Sequence, residues 1–253
     1  MRICPPEFEA LLTPAGRRLL AGRHPAVGAL AEPGRRFIAL AGMIDKGKAE
    51  HLRLLLERAL GPHLSRLEAP IPPEIIPRMT LNYQERLPKT VRVSTAYLDR
   101  RRAPAYVAAE KIGLTAMLRS ESFACFVERV AGAALRRRCG MQALGYGPGD
   151  YAGPHTDHHP QEPTARDGYI DCHLTLCGPG VARQWLVYEE GGHFCRLESV
   201  ARLGGITVYR LPFWHYTTPL EAKPRREDEA RRWVLLGTFL YRRVACASAT
   251  ART

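Results

Sequence analysis

Several features of other protein classes are missing from this 253-residue chain. No apolar run approaches the roughly 18 residues that a membrane-spanning helix needs. The opening "MRICPPEFEALL" lacks the basic stretch and long apolar core of a secretory leader. Cysteines number seven, at Cys4, Cys125, Cys139, Cys172, Cys177, Cys195 and Cys246, and no two form a CxxC pair. That odd, scattered set provides neither a disulfide framework nor a zinc ribbon. The expectation is a reducing, cytoplasmic setting with most thiols buried as small hydrophobes. There is no internal repeat and no low-complexity linker, so a single domain over 1–253 is expected.

Acidic residues are also scarce relative to basic ones, and the net charge is +12. The excess gathers in "LDRRRAP" (98–104), "ALRRRCG" (134–140) and "KPRREDEARRW" (223–233). Such charge attracts nucleic acid or an anionic small molecule. No aromatic residues interleave the clusters as a stacking platform would require, so solvated helix faces are the favoured reading over a nucleic-acid partner. The oligomeric state has no signature in the sequence.

What is present divides the chain in two. Residues 1–140 read as mostly helical. "FIALAGMI" (37–44) is an apolar run of strand length, and Asp45 is placed to cap a helix over 46–60 whose Leu52, Leu55, Leu56 and Ala59 fall on one stripe. Residues 69–93 are too rich in proline for a helix and read as loop and extended chain. Two more helices are expected over 103–119 and 121–137. From 141 to 243 short runs alternate with glycine and proline turns, giving candidate strands at 141–147, 151–157, 169–177, 184–190, 193–199, 206–212, 214–220 and 231–243. Many short strands at this spacing mean a sandwich, jelly roll or barrel, and helices followed by strands make the class α+β.

The chemistry starts in "GYGPGDYAGPHTDHHP" (145–160), which holds three of the nine histidines. On a strand, His155 and Asp157 would share a face and reach one metal ion. About one His-x-acid pair arises by chance in such a composition, so the pair needs support. His158 and His159 read as turn or rim residues. A third ligand has three candidates downstream. His215 follows a strand and a short turn in "GGITVYRLPFWHYTTPL", at a barrel mouth. His193 follows "EEGG" in a hairpin, where a solvated role fits better. His173 shares a strand face with Asp171 and Thr175 and could line a cavity or sit satisfied in the core. Two histidines and one carboxylate leaving open positions are the ligand set of non-haem Fe(II) oxygenases. Those that use 2-oxoglutarate also need a cation for its far carboxylate, ideally an arginine. Arg232 opens the apolar strand "RRWVLLGTFLY" on the face of Val234, Leu236 and Thr238, whereas Arg231 points the other way.

The ordered stretches "LGYGPGDYAGPHTD", "GGITVYRLPFWHYTTPL" and "RRWVLLGTFLY", over 141–243, resemble the Fe(II)/2-oxoglutarate-dependent dioxygenases, in particular the prolyl-4-hydroxylase-like branch. The resemblance implies a double-stranded β-helix, or jelly roll, flanked by N-terminal helices. It implies that His155, Asp157 and His215 ligate Fe(II), that Arg232 holds the 5-carboxylate of 2-oxoglutarate, that Tyr146 lines that pocket, and that Thr175 and His173 lie where a polar partner of the carboxylate is placed. The implied reaction consumes O2, with ascorbate as a reductant, and converts 2-oxoglutarate to succinate and CO2 through an Fe(IV)-oxo species that hydroxylates a substrate. A carboxylate at 157, where related halogenases carry a small residue, favours hydroxylation. Arg232 falls 17 residues after His215, while the family spacing of about ten falls on Arg225, inside the polar run "EAKPRREDEA". The strand pattern favours Arg232. With no docking module evident, a small molecule or amino-acid derivative is the expected substrate. A protein side-chain hydroxylase and a jelly-roll protein that binds metal without catalysis are the alternatives. Arg183 and Trp185, in "ARQWLVY", could meet a substrate, with barrel-face packing the favoured role for the tryptophan.

Overall fold

The computed structural model describes residues 4–70, 90–157 and 168–242. Thirteen strands appear among them: β1 (Phe37–Leu40), β2 (Ser65–Pro70), β3 (Thr90–Tyr97), β4 (Gly140–Tyr146), β5 (Tyr151–His155), β6 (Tyr169–Cys177), β7 (Val181–Arg183), β8 (Trp185–Glu190), β9 (His193–Ser199), β10 (Gly205–Leu211), β11 (His215–Thr217), β12 (Glu221–Ala222) and β13 (Arg232–Leu240). Five α-helices accompany them: α1 (Pro14–Leu20), α2 (Lys46–Ala59), α3 (Pro104–Lys111), α4 (Leu114–Leu118) and α5 (Glu121–Ala131).

The antiparallel strands run β1-β10-β6-β13-β4-β3-β5-β11-β8-β9, with β2 on the free side of β3. Strand β3 makes the corner. Its residues 94–97 pair with β4, while Val91 and Arg92 pair with Ala152 and Tyr151 of β5. The result is a nearly closed jelly roll, with a major sheet up to β3 and a minor sheet of β5, β11, β8 and β9. β7 and β12 form a separate two-stranded ribbon.

Alternation along the major strands explains the architecture. On β6, Cys172, Leu174 and Leu176 are buried in the core shared with the helices, while Asp171 and His173 line the interior and Thr175 on the same face borders a smaller pocket. On β13, Trp233, Leu235 and Phe239 join that core, while Arg232, Val234, Leu236 and Thr238 line the interior. Phe123 and Phe126 of α5 and Leu52 and Leu56 of α2 cover the sheet from outside. Phe123 packs so closely over Gly237 that a Cβ there would lie 2.7 Å from its ring.

Local signals set the helices. The Asp45 carboxylate accepts from Lys48 N at 2.9 Å and starts α2, as expected. Ser120 caps α5 in the same way. The expected helix 103–119 is instead two helices, because Gly113 adopts φ +78° between them. The expected helix 121–137 stops at Ala131, where Gly132 takes φ +65° and its N–H bonds Glu128 O. The largest departure is β2 with β3. These strands lie in the part read as helical and loop, and they complete the barrel. Of the loop reading at 69–93, residues 71–89 fall outside the described residues. His158, His159 and Cys246 do so as well. The other six cysteines are free thiols. No described helix is long and apolar enough to cross a membrane.

Candidate metal and cosubstrate site

The interior of the jelly roll is a cavity of about 740 Å³, and His155, Asp157, His215, Arg232, Tyr146 and His173 line it, whereas Thr175 borders a separate small pocket. Register brings distant histidines together: His215 of β11 pairs directly with His155 of β5. Their rings lie 4.4 Å apart between centroids. Asp157 reaches both, with Oδ1 3.2 Å from His155 Nε2 and Oδ2 3.3 Å from His215 Nε2. One ligand atom from each of the three lies within 4.8 Å of the others. The route to this geometry differs from the expected strand alternation. β5 ends at His155, and Asp157 sits beyond it at φ +56°, a left-handed conformation that aspartate tolerates better than most residues. The Tyr169 hydroxyl donates to the Asp157 carbonyl and ties down that turn.

The histidine tautomers are set by the main chain. His155 Nδ1 lies 2.5 Å from Gly153 O, and His215 Nδ1 lies 3.0 Å from Phe213 O. A proton on each Nδ1 leaves each Nε2 with a lone pair aimed at a carboxylate oxygen. Acceptors facing acceptors at this distance call for a cation between them. That donor set fits a divalent iron and leaves coordination positions open. The three groups also act strongly on one another electrostatically. Burial works to raise the Asp157 carboxyl, but the two imidazoles hold it well below the usual carboxylate range. Burial and His155 lower His215, whereas Asp157 outweighs burial at His155 and raises it. Phe213 stacks on His215 at 4.7 Å and 22°.

Deeper in the barrel, Arg232 is 2 % exposed. Its Nη1 donates to Gln184 Oε1 at 2.9 Å, and its guanidinium lies 5.1 Å from the Tyr146 ring centroid. Arg232 Nε has no partner, and neither do Thr175 Oγ1 and His173 Nε2, all of them buried. Burial, helped by the Arg232 charge, pushes the His173 imidazole down to about 3, so it stays neutral. A guanidinium with an unanswered N–H and a neutral imidazole suit a carboxylate guest. Arg225 lies elsewhere, exposed in a loop at φ +61° with its N–H directed to Glu227. Arg231 points out to Glu57 at 3.0 Å.

Two further placements differ from expectation or went unread. Arg183 pairs with Glu221 on the surface ribbon and does not line the cavity. Gln184 is fully buried; its amide donates to Asp150 O and Thr218 O while its carbonyl accepts from Arg232. It occupies the break between β7 and β8, where no periodic pattern marks it. His193 is exposed at the β8–β9 hairpin. The arginine clusters are partly neutralised in place, Arg137 by Glu121 and Glu128 and Arg226 by Glu229.

No family model and no curated protein matches the chain. Solved structures do. A Pseudomonas putida prolyl-4-hydroxylase is 16 % identical with a TM-score of 0.51, covering 89 % of this chain and 100 % of its own. A 2OG-Fe(II) oxygenase family protein from Burkholderia pseudomallei is 13 % identical at 0.52, covering 89 % and 90 %. SnoN, a non-heme alpha-ketoglutarate-dependent epimerase of nogalamycin biosynthesis, is 14 % identical at 0.54, covering 94 % and 90 %. The protein therefore has a jelly-roll fold. More narrowly, that fold is the one found in Fe(II)/2-oxoglutarate-dependent oxygenases.

Proposed function

We propose that this protein is an Fe(II)- and 2-oxoglutarate-dependent oxygenase that hydroxylates a small molecule or an amino-acid derivative. One observation carries the reading: a single cavity holds three converging ligand atoms and a buried guanidinium with a free N–H. A protein that only bound metal would have no use for the second part, so this reading is favoured over the non-catalytic one.

In this reading His155, Asp157 and His215 hold Fe(II), and Arg232 receives the far carboxylate of 2-oxoglutarate. Gln184 aims the guanidinium by accepting from Nη1. Tyr146 covers its face. The neutral His173 stands beside the same carboxylate without competing for the iron, and Thr175 lies further along the same strand face, outside the cavity lining. Iron with its cosubstrate, when bound, supplies the oxidising power of dioxygen for attack on an inert C–H bond. The chain's own part is positioning and exclusion. Val234, Leu236 and Leu186 line the cavity with apolar surface that keeps water from the reacting centre. Asp157 stays ionised through the neutral range. The inward, enclosed position of the polar groups on β6 suits a small substrate better than a protein side chain.

The test is succinate formation from 2-oxoglutarate with Fe(II) and ascorbate under air. A weak visible band on adding Fe(II) and 2-oxoglutarate without oxygen is a second expected signal. A folded, iron-binding protein that gave neither would overturn the reading.

A further inference from the structure

Asp171 is a buried carboxylate that no role above employs. It sits on β6 between Thr238 of β13 and Tyr209 of β10, and its side chain lines the cavity. The residue is 5 % exposed, and its Oδ1 has no hydrogen-bond partner. Among the described residues, a hydrogen bond with Thr238 is the contact that favours its charged form. Leaving a carboxylate buried and unanswered costs stability, so such a group marks a place where something else supplies the donors.

Its position narrows what that something is. On β13, Arg232 and Thr238 share the inward face, and six steps along the strand separate them by roughly 20 Å. The cavity thus carries a cation at one end and a carboxylate at the other. The triad neighbours the carboxylate end: Tyr209, opposite Asp171, packs 5.4 Å from the His215 ring, and Tyr169, two residues before Asp171, bonds Asp157. A cosubstrate anchored on Arg232 and reaching the triad would leave the space at Asp171 to the substrate. Leu236 and Leu240 flank that space. Arg138 also lines the cavity but is exposed, and it does not satisfy Asp171 Oδ1.

We infer that the substrate carries an amino group on an apolar body, and that Asp171 receives this group beside the His155–Asp157–His215 cluster. The naming of a substrate class rests on the oxygenase reading. A hydroxyl guest is the poorer match, since Thr238 already offers a hydroxyl and an alcohol cannot take the carboxyl proton to form an ion pair as an amine can. Burial pushes the carboxyl up to about 8. A neutral amine can therefore take the proton from Asp171 as it binds, and an ammonium can displace it to solvent. Both routes end in the same ion pair.

Calorimetric titration of the full chain, loaded with Mn(II) and 2-oxoglutarate, tests this with two matched probe pairs. These are cyclohexylamine against cyclohexanol, and phenethylamine against 2-phenylethanol. The wild type is expected to prefer each amine by about tenfold or more, the scale of one charge-assisted hydrogen bond. Asp171→Asn should bring the ratio close to one. Thr238→Val, which keeps the carboxylate, should retain a preference for the amine and gives a readout if Asp171→Asn fails to fold. Equal binding of amine and alcohol by the wild type, a preference surviving in Asp171→Asn, a preference lost in Thr238→Val with the fold intact, or no binding of any probe would overturn the inference. Succinate formation by the same protein preparations, reloaded with Fe(II) and assayed with 2-oxoglutarate and ascorbate under air, separates the two claims. An Asp171-dependent amine preference without succinate would remove the oxygenase reading alone, and succinate without the preference would remove the substrate class alone.

Discussion

The two walls of the cavity are supported differently. Behind the major sheet stand helices, and Trp233 and Phe239 on its outer face are fully buried. Behind β9 of the minor sheet there is solvent, and Leu197 is 61 % exposed. Arg232, His173, Thr175 and Asp171 project from the backed wall, whereas the triad comes from the thinner one, at β5, β11 and the turn at Asp157. Packing from behind can hold a side chain such as Arg232 in a low-dielectric interior. Among the described residues no helical layer backs the thin wall, and its histidines are held by hydrogen bonds to nearby carbonyls. Precision in the two halves of the site thus has two different physical sources.

Substitutions should separate those sources. The largest stability effect is expected in the backed wall. Phe123→Ala, which empties the contact with Phe8, Phe239 and Gly237, should cost about 3–5 kcal/mol in chemical denaturation. Leu197→Ser on the thin wall should stay within about 0.5 kcal/mol. If the two costs are similar, the contrast fails. In the thin wall, His215→Ala should leave the fold intact and weaken Fe(II) binding by more than about 100-fold, beyond the usual cost of losing an outer partner. Metal titration measures it. Next, Arg232→Ala should raise the 2-oxoglutarate concentration needed for half-maximal succinate formation by about 10- to 100-fold, through loss of a buried charged donor. Arg225→Ala should change it less than about twofold, since an exposed loop charge contributes little. The reverse order would move the anchor to Arg225.

The mildest test uses pH. The folded Asp171 carboxyl lies at about 8 against an ordinary 3.8. Between these values the folded state keeps a proton that the unfolded chain has released. Stability therefore falls as pH rises through that window and this contribution levels off above it. Asp171→Asn should flatten that part of the metal-free stability–pH curve. An unchanged slope would place the carboxyl outside the buried setting described.

Parts of this arrangement were legible in the sequence for identifiable reasons. Period-two alternation on "RRWVLLGTFLY" assigned Arg232 and Arg231 to opposite faces, and the structure places them so, one in the cavity and one on Glu57. The cap at Asp45 acts within one turn, so local sequence suffices for it. The pairing of His155 with His215 could be expected from strand order but not its register, which non-local hydrogen bonds decide. β2 and β3 went unread because they gain stability only as partners in a sheet closed by remote strands, while prolines masked their local signal. Gln184 went unread because its significance lies in Arg232, 48 positions away. Asp157 was assigned to a strand it does not occupy, and its left-handed φ is a property that alternation cannot show.

The two bonds that fix the imidazoles have a consequence for how the protein can change. Gly153 and Phe213 act through their carbonyls, each two positions before the histidine it orients. No neighbouring side chain performs that duty, so replacing one would not remove the acceptor. The ligand orientation is thereby insulated from mutational drift in the surrounding wall. Side chains beside the two histidines can change without removing either acceptor, so the imidazole orientation is inherited with the backbone.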